Sequence, residues 1–90
     1  MKNYIIVNSN TDNGCINLYR FYGNESDMLE KLLYLAKERL EDEQFEESDI
    51  PEDINEIGFS KTYQEWSITL SGYDYSECFV AKEYNDIELV

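Results

Sequence analysis

The hydrophobic period changes twice along this chain, from that of a strand to that of a helix and back. Tyr4-Ile5-Ile6-Val7-Asn8-Ser9 and Ile16-Asn17-Leu18-Tyr19-Arg20-Phe21-Tyr22 are rich in β-branched and aromatic residues. Between them stands Asn13-Gly14, whose tolerance of positive φ makes it a strong short-range signal for a β-hairpin. From Met28 the pattern shifts. Leu29, Leu32, Leu33, Ala36 and Leu40 fall on one helical face, with Glu25, Asp27 and Glu30 at the end where a helix dipole favours negative charge. Strand periodicity returns at Trp66, Ile68 and Leu70, which alternate with Glu65, Ser67, Thr69 and Ser71. After a turn at 72–76, Cys78-Phe79-Val80-Ala81-Lys82 brings the chain back, and Asp86–Val90 adds a short tail suited to one more edge pairing.

Between the two strand regions lies a more ambiguous stretch. Ile50, Ile54 and Ile57 are spaced for a short amphipathic helix, with Asp49 to cap it, Pro51 in its first turn and Gly58 to stop it. The expected fold is therefore α+β: an antiparallel β-sheet in the order ββ-α-(α)-ββ, packed against one long amphipathic helix. Residues 1–90 are read as a single small globular domain with one modest core. Trp66 is expected in that core. Tyr73 and Tyr75, flanking Asp74 in the turn, are either interface anchors or rings folded back over the sheet.

Charge is distributed far less evenly than hydrophobicity. The net charge is −13, and −9 of it comes from Glu38–Glu56, where ten acids stand against one base, Arg39. Residues 1–37 balance four acids with four bases, and residues 57–90 carry six acids and two bases. Such asymmetry creates one strongly negative surface, which repels nucleic acid and steers basic partners. Glu41, Asp42 and Glu43 even fall where the helix dipole disfavours them.

Composition narrows the function further. With no histidine, the commonest general base and metal ligand is missing. The four glycines are scattered at 14, 23, 58 and 72, without the spacing of a phosphate or dinucleotide loop. Neither Cys15 nor Cys78 has a neighbour in sequence that would activate a thiol. No enzyme activity, cofactor or dedicated metal site is expected. The acidic run lacks the spacing of an EF-hand, so a loose Ca²⁺ site competes with a plain solvated face. The two cysteines read as buried or half-buried free thiols; a bridge would need neighbouring strands with Cα atoms within ~7 Å. Tyr4-Ile5-Ile6-Val7 is too short for a signal segment, and no stretch approaches the ~20 apolar residues of a membrane span. A cytoplasmic location, with no membrane partner and no direct nucleic-acid partner, is expected.

The acids themselves suggest what kind of partner remains. Duplex DNA carries one charge per ~1.7 Å of axis, and a helix rises about 1.5 Å per residue. A row of Glu38, Glu41, Asp42, Glu46, Glu47, Asp49, Glu52, Asp53 and Glu56 would present comparable charge, with Phe45 and nearby tyrosines as apolar anchors. In small size, strong acidity, Asn/Ile/Tyr/Glu-rich composition and the stretch Glu38–Glu56, the chain resembles phage-type anti-CRISPR and anti-restriction proteins. That resemblance implies a blocking inhibitor that occupies the DNA groove of a basic, nucleic-acid-binding enzyme. Glu38, Glu41, Asp42, Glu46, Glu47, Glu52 and Asp53 are the expected contacts. Two other readings stand beside it. The stretch can be a solvated face that serves solubility alone. The chain can equally be an interaction or assembly module, a homodimer included, that recognises its partner through the neutral first hairpin or the last strands.

Overall fold

The computed structural model describes residues 1–10, 14–42, 50–71 and 76–84, with the backbone only of residues 40–42. It is an α+β fold: one helix packed on an antiparallel sheet of five described strands. The first two strands, β1 (Lys2–Asn10) and β2 (Ile16–Gly23), form the expected hairpin. Asn10 closes it, donating its N–H to the carbonyl of Cys15 at 3.1 Å and accepting from Gly14 at 3.0 Å. Gly14 has φ +69°, the left-handed region that glycine enters without strain. The other turn residues, 11–13, lie outside the described residues.

The helix, α1 (Glu25–Asp42), starts three residues ahead of its periodic face because Asn24 caps it. Its side-chain oxygen accepts the N–H of Asp27 at 2.8 Å and its carbonyl accepts that of Met28 at 3.1 Å. Met28, Leu29, Leu32, Leu33, Leu35 and Ala36 are buried, whereas Glu30, Tyr34, Lys37 and Glu38 face solvent.

Two parts of the expected order need correction. No second α-helix forms at the isoleucines; the chain makes a single 3-10 turn, Ile54–Glu56. The reason is local competition. Asp53 caps the turn, accepting the N–H of Asn55 at 2.8 Å, but Ile57 already has extended dihedrals. A three-residue strand, β3 (Gly58–Ser60), then pairs with β4 (Glu65–Ser71) and draws the chain out of helical geometry. With β5 (Ser76–Tyr84) the order is therefore ββ-α-turn-βββ in place of ββ-α-(α)-ββ. The isoleucines still pack inward: Ile57 is buried, and Ile50 and Ile54 lie against the core.

In the sheet the strands run β2-β1-β5-β4-β3, so the first and last described strands meet at its centre. Strand alternation then gives the sheet two different faces. Tyr4, Ile6, Phe79, Ala81, Ile68 and Leu70 point toward α1 and form the core with the helix side chains. Trp66 is half-buried at the rim, its ring 6.2 Å from Tyr4 and 4.8 Å from Phe59. Neither cysteine is in a disulfide. Cys78 is half-buried, with Sγ 3.7 Å from the Thr69 hydroxyl. Cys15, expected to be at least half-buried, is exposed because it sits ahead of β2 at the hairpin end. Tyr73, Tyr75 and the tail 86–90 lie outside the described residues. No described helix is long and apolar enough to cross a membrane.

Candidate functional site: the acidic surface and the acid beneath it

The predicted contact residues divide by where they sit. Glu38 is exposed on the second half of α1, and the Tyr34 hydroxyl one turn earlier donates to its carboxylate at 2.7 Å. Lys31 lies over that tyrosine ring, 5.2 Å from its centroid, a cation–π contact that helps hold the ring in place. Glu41 and Asp42 are in the last turn of α1. Glu46 and Glu47 lie outside the described residues. Glu52 and Asp53 are exposed around the 3-10 turn, which packs against α1.

At that turn two carboxylates have structural duties. Asp53 caps it, and Glu56 accepts the backbone N–H of Glu52 at 3.3 Å. Both satisfy main-chain donors that the short turn leaves without partners. Neither duty neutralises the acid. The stretch presents negative charge to solvent at Glu38, Glu52, Asp53 and Glu56.

Arg39, the one base of the stretch, reaches inward. Its Nε donates to Oε2 of Glu77 at 2.6 Å, and Asn10 Nδ2 donates to Oε1 at 2.9 Å. Glu77 is only 2% exposed. Burial pushes its carboxyl pKa up, but the hydrogen bonds from Arg39 and Asn10 and the guanidinium charge outweigh burial and hold it below the ordinary value. An asparagine relay continues the network across the sheet. Asn17 donates to Asn8 Oδ1 at 3.1 Å, and Asn8 donates to the Cys78 carbonyl at 3.4 Å.

Beside this network a cleft of about 260 Å³ opens between α1 and the β2 edge, lined in part by Asn17, Tyr19, Leu35 and Glu38. Among the described residues no buried side-chain nitrogen or oxygen lacks a hydrogen-bond partner. The polar wall of the cleft is thus explained by the network itself. Nor do the described residues gather three His, Cys, Asp or Glu side chains where they could hold a metal ion.

Sequence reasoning misses the Glu77–Arg39 pair, although the chain carries a signal for it. Glu77 shares the strand phase of Phe79 and Ala81, both buried, so a charged residue stands in the inward register. Arg39 stands alone among ten acids, and such a cation has a choice of partners. No family model, curated protein or solved structure matches the chain.

Proposed function

We propose that this protein binds and inhibits a basic DNA-handling protein, such as a CRISPR effector or restriction nuclease, by presenting Glu38–Glu56 as a nucleic-acid-like surface. The observation that carries this reading is the concentration of −9 of the net −13 in that one stretch, with its only base turned onto buried Glu77. Drawing Arg39 inward leaves the outer surface with acids that can meet Arg and Lys side chains in a groove. In this reading α1 is a long amphipathic helix, its apolar face in the core and its last turns delivering Glu38, Glu41 and Asp42 to the partner. Glu46, Glu47, Glu52 and Asp53 continue the surface. The protein acts in the cytoplasm, uses no cofactor and catalyses nothing. Recognition is fast and sensitive to salt, since it depends on exposed charge.

The test is capture from host lysate by the wild-type chain and by a variant carrying E38Q, E41Q, D42N and E52Q. Washing moves from about 0.15 M to about 0.5 M salt, which shortens the screening length from ~8 Å to a few Å. A nuclease or other DNA-binding enzyme should be retained at the lower salt, released at the higher, and lost with the variant. Adding the purified chain should also displace DNA from that enzyme. Equal retention of partners by the variant would overturn the proposal. A second reading, an assembly module whose acidic stretch serves solubility, is favoured by the exposure of Ile16, Leu18 and Tyr22 on the face of the sheet away from α1.

A further inference from the structure

The side of the sheet away from α1 has a composition unlike the rest of the molecule. Its central rows contain Ile5, Val7 and Val80, all half-buried. On the β2 side Ile16, Leu18 and Tyr22 are 66%, 71% and 67% exposed. Residues in register form rows across the strands. One is Leu18–Val7–Val80–Ser67, and the next is Arg20–Ile5–Lys82–Glu65. In a chain of net charge −13, these two rows carry two cations and one acid. Among the described residues, Arg20, Lys82 and Glu65 form no ion pair.

We infer that this face binds a second copy of the chain, sheet against sheet, about a two-fold axis parallel to the strands and passing over the β1–β5 boundary. Three features select that occupant. First, such an axis places β1 on the partner's β5 and β2 on the partner's β4, because the strand order is β2-β1-β5-β4. Rows stay matched, so Val7 meets Val80 and Arg20 meets Glu65, twice each. The face is thereby complementary to itself at Val7–Val80 and Arg20–Glu65, while Ile5 meets the alkyl stem of Lys82 and Leu18 meets Ser67. Second, two chains of −13 can approach closely only where their acids are few, and these rows are such a place. An anionic membrane, charged over its whole surface, would be repelled by the remainder of the chain. Third, sheets packed face to face tolerate a rotation of about 30° between strand directions, well within the reach of long Arg and Glu side chains.

The footprint sets the strength. Four strands at ~4.8 Å and about seven residues at ~3.3 Å give roughly 450 Å² per copy before side-chain relief, the small end of specific interfaces. The dimer is therefore concentration-dependent. It leaves α1 and the acidic surface outward on both copies, so it is independent of the proposed inhibitory contact.

Sedimentation equilibrium of the full chain tests this at about 100 μM and physiological salt. The expected mass is about 21 kDa, twice the 10.7 kDa of the chain. Exposed Arg20 gives a variant that leaves the core intact: R20E should weaken association at least tenfold, and R20E/E65R should restore it. V7D should give the monomer mass, with its fold checked by circular dichroism. A wild-type chain that stays at 10.7 kDa overturns the inference. A charge-swapped pair that fails to restore the dimer overturns the proposed two-fold.

Discussion

Glu77 and Glu52 have the same side chain and opposite surroundings. Glu77 is 2% exposed and held by two charged or amide donors, whereas Glu52 is exposed and its carboxylate makes no described hydrogen bond. An acid inside a fold must be paired, since leaving a carboxylate buried without partners is strongly unfavourable. An acid outside costs little and acts at a distance. The difference teaches that this chain's charge has two separate uses. One locks α1 to the centre of the sheet, and the other faces whatever approaches.

Removing Arg39 would break that comparison most severely. Arg39→Ala leaves the Glu77 carboxylate buried with the neutral amides of Asn10 and Asn8 in place of a charged partner, and should lower stability by about 3 kcal/mol. Arg39 is about one-third exposed, so water relieves part of the penalty, and the value falls at the low end for buried pairs. Urea denaturation should show a lower midpoint with an unchanged slope. A change below about 0.5 kcal/mol would mean that the pair does not anchor the helix.

Glu77→Gln sharpens the comparison through pH. Gln keeps the shape and a carbonyl acceptor for Asn10 but loses the charge-assisted bond to Arg39, for an expected loss of about 1–2 kcal/mol at neutral pH. Because the folded carboxyl has a lowered pKa, its contribution is fully present above the unfolded-state value of about 4.3. It is lost as pH falls through the lowered folded value. The stability gap between wild type and Glu77→Gln should therefore be constant above about pH 5, narrow as pH falls past the unfolded-state value of about 4.3, and vanish only below the lowered folded value. A gap that persists unchanged to acid pH would show that the packing of Glu77, rather than its charge, is what matters.

Much of the architecture is legible in the sequence because alternation and helical spacing each run for several residues. Leu29, Leu32, Leu33 and Ala36 of α1, and Ile68 with Leu70, declare their faces by spacing alone, and all of them are in the core. Gly58-Phe59-Ser60 is too short to display alternation, and β3 exists because β4 offers an edge to pair with. Ile50, Ile54 and Ile57 do reach the core, but a helical spacing of three residues is also met by a turn that leads into a strand. The candidate site is legible as a concentration of charge. What charge cannot reveal is the inward turn of Arg39, which depends on long-range pairing that brings β5 beneath the helix.

The smallest effects belong to the outer acids, and they separate holding a turn from facing a partner. Asp53→Ala removes the oxygen that accepts the Asn55 N–H, and should cost about 0.5–1 kcal/mol, a modest cap on a turn of only three residues. Asp53→Asn retains an acceptor and should recover most of that. Glu52→Gln removes charge alone and should change stability by less than about 0.5 kcal/mol, with a slight gain expected from weaker repulsion among neighbouring acids. Thermal unfolding of the three variants at low and moderate salt would check the order, because added salt should erase any Glu52→Gln gain and leave the Asp53→Ala loss in place. If Glu52→Gln proved as damaging as Asp53→Ala, Glu52 would have a structural partner, and its exposed charge would no longer stand apart from the buried charge of Glu77.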